Sequence, residues 1–180
     1  ASQEGIDATN NGTGALSVTS TGSVTATNLG IQAINLGTDL TIAAASVSGS
    51  TGINGRNDGT GSLSVTATGT VTGTSFRGVV ARNYSSGLNL DINVVNVTGA
   101  VDGIYANNLG RGALSVTSTG TVTGTSTYGI FARNSGTDLT IFAHDVSGGS
   151  QNGIDAVNDG TGALSITATG AVTAKGGYGI

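Results

Sequence analysis

Gly5-Ile6-Asp7-Ala8-Thr9-Asn10 decides the reading, because the chain repeats this stretch to its end. It returns as Gly30-Ile31-Gln32-Ala33-Ile34-Asn35 and as Gly52-Ile53-Asn54-Gly55-Arg56-Asn57. Further copies run from Gly78 to Asn83, Gly103 to Asn108, Gly129 to Asn134 and Gly153 to Asn158, and an eighth begins at Gly179. The opening glycines are separated by 25, 22, 26, 25, 26, 24 and 26 residues. A period in the twenties marks a solenoid, whose units cannot bury an apolar face alone and must stack on their neighbours.

Within the first copy, Ile6, Ala8 and Asn10 alternate with Asp7 and Thr9, the period of a strand with one face inward. Asn11-Gly12-Thr13-Gly14 is turn chemistry, with glycines available for positive φ. Leu16 and Val18 make a second strand, Gly22 breaks it, and Val24 with Ala26 makes a third. Three short strands and three corners per copy predict an all-β parallel β-helix of triangular section. It would form a single solenoid over residues 1–180, with about seven rungs of 22–26 residues. Length changes fall in the corners, where loops tolerate them.

A longer unit lies over the short one. Copies one, three, five and seven continue as Ala-Leu-Ser-Val-Thr or close relatives, whereas copies two and six read Asp-Leu-Thr-Ile at Asp39 to Ile42 and Asp138 to Ile141. Copy four departs, from Gly87 to Val94, and is two residues longer there. The sequence unit is therefore a pair of turns. Stacking predicts columns of Ile6, Ile31, Ile53, Val79, Ile104, Ile130 and Ile154, of leucines from Leu16 to Leu164, and of valines from Val24 to Val172. Each buried Leu, Ile or Val contributes roughly 1.5–3 kcal/mol. Backbone ordering costs about 1–2 kcal/mol per residue, so no single turn should be stable. Asn10, Asn35, Asn57, Asn83, Asn108, Asn134 and Asn158 share one register. On rungs ~4.8 Å apart their amides can bond along the axis as an internal ladder.

Composition narrows the function. The 180 residues include 32 glycines, no cysteine and 9% charged residues, with a net charge of -4. Lack of cysteine removes disulfides and thiolate metal sites and suits export in extended form. Six Lys and Arg provide no basic stripe for nucleic acid. No apolar run approaches the ~20 residues of a membrane span, and no stretch of these residues reads as a signal peptide. Because the chain starts beside one repeat and ends inside another, we expect a segment of a longer array.

The paired units Asn158 to Thr173 (Asn-Asp-Gly-Thr-Gly-Ala-Leu-Ser-Ile-Thr-Ala-Thr-Gly-Ala-Val-Thr) and Gly136 to Ile141 (Gly-Thr-Asp-Leu-Thr-Ile) resemble passenger repeats of bacterial autotransporters of the type V secretion system. The likeness covers essentially the whole chain. It implies a right-handed β-helix carried across the outer membrane by a C-terminal β-barrel. It also implies display on the bacterial surface or secretion, with passengers serving as adhesins, aggregation factors, toxins or effectors. The membrane would then be met only through that translocator, which this chain lacks.

Catalytic constellations are not legible. Asp7 and Asp155 share a register but belong to copies one and seven, roughly 29 Å apart. His144 is the only histidine, and its neighbour Asp145 should point to the opposite face of a strand. No Gly-x-Ser-x-Gly or phosphate-loop motif occurs. A polysaccharide-active β-helix enzyme remains the minor alternative, and the expectation is no catalysis, cofactor or metal. The hydroxyl column Thr25, Ser48, Thr72, Thr98, Thr123, Ser147 and Thr173 is explained by β-propensity, because the adjoining register is too irregular to match ice.

One surface breaks the monotony. The outward column of the first strand reads Asp7, Gln32, Asn54, Val80, Tyr105, Phe131, Asp155, which would stack three large apolar residues in copies four to six. Arg82 and Arg133 stand in the next column, and Arg77 and Tyr128 approach from the preceding corner. Val80, Tyr105, Phe131, Arg82, Arg133, Tyr128 and Arg77 form the candidate protein-binding strip, since aromatics with arginine on an exposed face compose binding hot spots. The alternative is that cross-strand aromatics merely stabilise the sheet, at ~0.2–1 kcal/mol a pair. Arg77 and Asp102 should form a surface pair of ~0–1 kcal/mol. The expected role is a rigid stalk and adhesion surface. Its partner would be a host-cell surface or matrix protein, a glycan, or another copy of the chain. A released passenger acting as toxin or ligand is the alternative.

Overall fold

The computed structural model describes residues 3–180. They form a parallel β-solenoid of about seven turns, with no helix among them. Seven strands make the first sheet in chain order: Ile6–Asn10, Leu29–Asn35, Thr51–Asn57, Val79–Asn83, Ile104–Asn108, Ile130–Asn134 and Ile154–Asn158. Every neighbouring pair in it is parallel and in the register predicted, from Ile6 against Ile31 to Ile130 against Ile154. The ten-stranded second sheet aligns Leu16, Leu40, Leu63, Leu90, Leu114, Leu139 and Leu164 in the same way. Between the sheets lies one continuous core, in which Ile31, Leu40, Ile53, Leu90, Ile104, Leu114 and Ile130 are fully buried. In the last turn the same column comes to the surface, and Leu164 is 47% exposed.

The predicted break between the second and third strands is absent from the middle of the stack. There the two run on as single bent strands, Leu63–Gly73, Leu90–Gly99, Leu114–Gly124 and Leu139–Gly148. A shift in register at each bend, as between Val94 and Val97, marks a bulge. The backbone stays paired along the axis through the corner, where Gly69 N donates to Ala45 O at 2.9 Å. Separate third strands survive only as Val24–Thr25, Val47–Gly49 and Val172–Ala174. The section is thus a three-sided coil with one soft corner.

Positive φ is not what the glycines provide, since none of those described adopts it. Space is the reason. A Cβ on Gly103 would lie 2.6 Å from the Gly129 carbonyl oxygen and 2.7 Å from Val122 Cγ1. Equivalent collisions await Gly30, Gly52, Gly129 and Gly153, so the opening glycine of each copy marks where the backbone passes close under the next turn.

The two-turn unit also has a physical cause. Even-numbered turns carry side-chain acceptors at their corners, and odd-numbered turns offer the backbone N–H groups that reach them. Asp39 Oδ1 accepts from Ser62 N (2.7 Å), Asn89 Oδ1 from Ala113 N (3.0 Å) and Asp138 Oδ1 from Ala163 N (2.7 Å). At the bulged corner Ser46, Asn96 and Asp145 accept likewise from Thr70, Thr121 and Ala171. Gly61, Gly112, Gly162, Gly69, Gly120 and Gly170 lie against these acceptors, where a Cβ would strike the accepting atom. The two extra residues of copy four are absorbed in a turn closed by Gly87 N donating to Tyr84 O at 2.8 Å, and Leu90 regains register.

Candidate binding surface on the first sheet

The asparagine ladder is continuous. Each Nδ2 donates to the Oδ1 of the next asparagine, from Asn10 to Asn35 (2.7 Å) through Asn134 to Asn158 (3.1 Å). The same Nδ2 groups also donate to corner carbonyls, as Asn57 does to Gly61 O at 3.1 Å. Asn35, Asn57, Asn83, Asn108 and Asn134 are fully buried. The ladder faces inward, and its amides are bonded to one another and to corner backbone groups, which makes it a structural element and leaves the outer face to meet solvent.

On that outer face the first column changes character midway. In turns one to three it is a polar row, in which Gln32 Nε2 donates to Asp7 Oδ1 (3.2 Å) and Asn54 Nδ2 to Gln32 Oε1 (3.4 Å). From turn five it is aromatic. Tyr105 and Phe131 stack with centroids 5.1 Å apart and planes 15° apart, and Tyr128 tilts onto Phe131 at 5.4 Å. Two guanidiniums lie against Tyr105, that of Arg77 at 4.5 Å from the ring centroid and that of Arg82 at 5.2 Å. Such cation–π contacts stabilise by about 0.5–2 kcal/mol, depending on desolvation.

Three members of the strip depart from expectation. Val80 is buried at 5% exposure, shorter than the side chains around it, so it floors the surface and presents no apolar face. Arg133 binds Asp159 Oδ2 through Nε and Nη2 (2.7 and 2.6 Å), whereas it is the guanidiniums of Arg77 and Arg82 that lie over a ring of the strip. Arg77 and Asp102 are rung neighbours but do not form a surface pair, because Asp102 is only 2% exposed. Arg77 Nε donates to Asp102 Oδ2 at 2.5 Å, and Thr127 Oγ1 and Tyr128 N both donate to Asp102 Oδ1. A buried carboxylate thus holds three successive corners together. Burial first, and then the nearby carboxylates of Asp155 and Asp102, raise the Tyr128 phenol above its ordinary pKa.

Tyr84, which follows the strip in sequence, belongs to a second cluster, with Arg56 over its ring at 5.0 Å and Asp58 2.7 Å from Arg56 Nη2. His144 and Asp145 are not on opposite faces. They lie at the bulge, which breaks alternation, and His144 Nδ1 is 3.1 Å from Asp145 Oδ2. The Asp145 carboxyl is held below its ordinary pKa by the Ala171 N–H and then by the imidazole. Asp7 and Asp155 stand at opposite ends of the first sheet.

Phe76, Arg77, Val80, Arg82, Asn54 and Thr51 line an open hollow of about 210 Å³ whose floor, Val80, is the rung neighbour of Tyr105. Thr51 carries no sequence signal for this role, whereas the step in side-chain size along Asn54, Val80 and Tyr105 is written in the column itself. Asn107, in register between Arg82 and Arg133, buries an amide oxygen that has no hydrogen-bond partner among the described residues.

No family model, curated protein or solved structure matches the chain.

Proposed function

We propose that this chain is a non-catalytic repeat segment of a secreted or surface-displayed autotransporter passenger, acting as a rigid stalk that carries an adhesive face. One observation carries the adhesive reading. On a surface rich in Ser, Thr, Asn and Gly, where other exposed apolar side chains such as Leu36, Leu88 and Phe142 are not joined in ring contacts, Tyr105, Phe131, Tyr128, Phe76, Arg77 and Arg82 gather on one side of turns three to six. Aromatic rings supply large contact area with few rotatable bonds and arginines supply a planar fork of donors, the composition on which binding energy concentrates. Repeats that hold such a face away from the cell multiply weak contacts into avidity.

The test is binding of the folded chain to host cells and matrix proteins, comparing wild type with the double variant Tyr105→Ala/Phe131→Ala. We expect the double variant to lose at least about tenfold in affinity, as for loss of a hot-spot pair. Equal binding by a variant whose circular dichroism matches wild type would remove this face from the adhesive role.

A further inference from the structure

We propose that the hollow beside Tyr105 binds one carboxylate-bearing sugar residue of an acidic glycan. This deepens the adhesive reading of the same face and rests on it. The shape comes from the column. Asn54, Val80 and Tyr105 stand on successive rungs, and the drop from a phenol ring to a buried valine leaves the floor low. Tyr105 is covered on one face by Phe131, and both guanidiniums also lie against its ring. Phe76, 59% exposed, and Arg77 rise on the corner side, with Arg82 in the adjoining column. A space of about 210 Å³ suits a single sugar ring.

Charge names the ligand's acid group. Arg56, Arg77 and Arg133 each have a carboxylate within 2.7 Å, supplied by Asp58, Asp102 and Asp159. Arg82 and Arg111 have none within ion-pair distance among the described residues, and of these two only Arg82 lines the hollow. One uncompensated guanidinium, its donors in a planar fork, matches one carboxylate. The remaining lining fits a hydroxylated ring better than an apolar anchor. Asn54 offers an amide whose one bond, to Gln32, is long at 3.4 Å, and Thr51 offers a hydroxyl. The exposed Phe76 ring offers a face for the sugar's C–H groups.

Titration of the folded, isotope-labelled chain with sodium glucuronate, followed by amide chemical shifts, tests this. Expected are saturable shifts at Asn54, Val80, Arg82 and Tyr105 that weaken as salt rises, with glucose and acetate each at least about tenfold weaker. Arg82→Gln should lower glucuronate affinity about tenfold or more. Asn54→Phe, which fills the hollow but keeps the charge, should abolish binding. Arg111→Gln should change nothing. Equal affinity for acetate, shifts confined to another face, or wild-type affinity in a folded Arg82→Gln or Asn54→Phe variant would overturn the site. Preference for an Asp- or Glu-containing peptide over glucuronate would overturn it too. Absence of glucuronate binding while Tyr105→Ala/Phe131→Ala still loses host cells would sink the sugar site alone. Glucuronate binding that persists while wild type, Arg82→Gln and the double variant bind cells equally would sink the adhesive reading instead.

Discussion

Asn83 shows how much one side chain holds in this fold. Its Oδ1 accepts from Asn57 Nδ2 at 3.0 Å, while its Nδ2 donates to Asn108 Oδ1 and to the carbonyls of Leu88 and Asn89. Removing it deletes four hydrogen bonds at once, at about 0.5–1.5 kcal/mol each, although Asn57 Nδ2 keeps Gly61 O and Asn108 Oδ1 keeps the Gly110 N–H. Asn83→Ala should therefore cost roughly 2–4 kcal/mol in urea unfolding, and Asn10→Ala, at the half-exposed end of the ladder, under about 1.5 kcal/mol. Equal costs would mean that the ladder is not a connected chain. Tyr128 gives a prediction in pH. Its phenol titrates above its ordinary value in the folded chain, so above about pH 10 the folded state keeps a proton that the unfolded state gives up. Stability should fall as pH rises from there toward the folded value. Tyr128→Phe should flatten that fall and remove the phenolate absorbance that titrates above the usual range.

Turns act in pairs because even turns lend acceptors and odd turns lend N–H groups. Asp138→Ala, which strips the bond from Ala163 N, should cost about 0.5–1.5 kcal/mol in urea unfolding. Ser64→Ala, on the outward side of the second sheet, should stay within about 0.5 kcal/mol. A cost for Asp138→Ala no larger than for Ser64→Ala would remove the carboxylate from the account of pairing. The registers of both sheets are legible from the chain alone, because a column requires only one kind of residue at one recurring place. The bulged corner is not legible. Thr68-Gly69-Thr70 reads as a break, and pairing through it depends on Ala45 and Ser46 one rung away. The same holds for the site. Tyr105 and Phe131 become neighbours by register, but the burial of Val80 and Asp102 depends on taller side chains from other columns and corners. A period of two says nothing about corners, and there His144 meets Asp145 and Asp102 meets Thr127.

Across the whole molecule, one core runs from end to end and each turn leans chiefly on the turns beside it. Stability in such a stack is close to a sum of turn and interface terms, and shape follows from a constant rise. The aromatic face and its hollow exist only because that rise brings residues about 25 apart in sequence into contact, as with Tyr105 and Phe131. Spin labels on register mates of the second sheet measure the rise directly. Ser17, Ser64, Ser115 and Ser165 share one outward column, with Thr41, Asp91 and Thr140 between them. Pulsed electron resonance on the pairs Ser17/Ser64, Ser17/Ser115 and Ser17/Ser165, each residue replaced by labelled cysteine, should give backbone separations near 10, 19 and 29 Å, that is, ~4.8 Å for every rung crossed. Separations that fail to grow in proportion to the number of turns would contradict the stacked coil and, with it, the face built on its side.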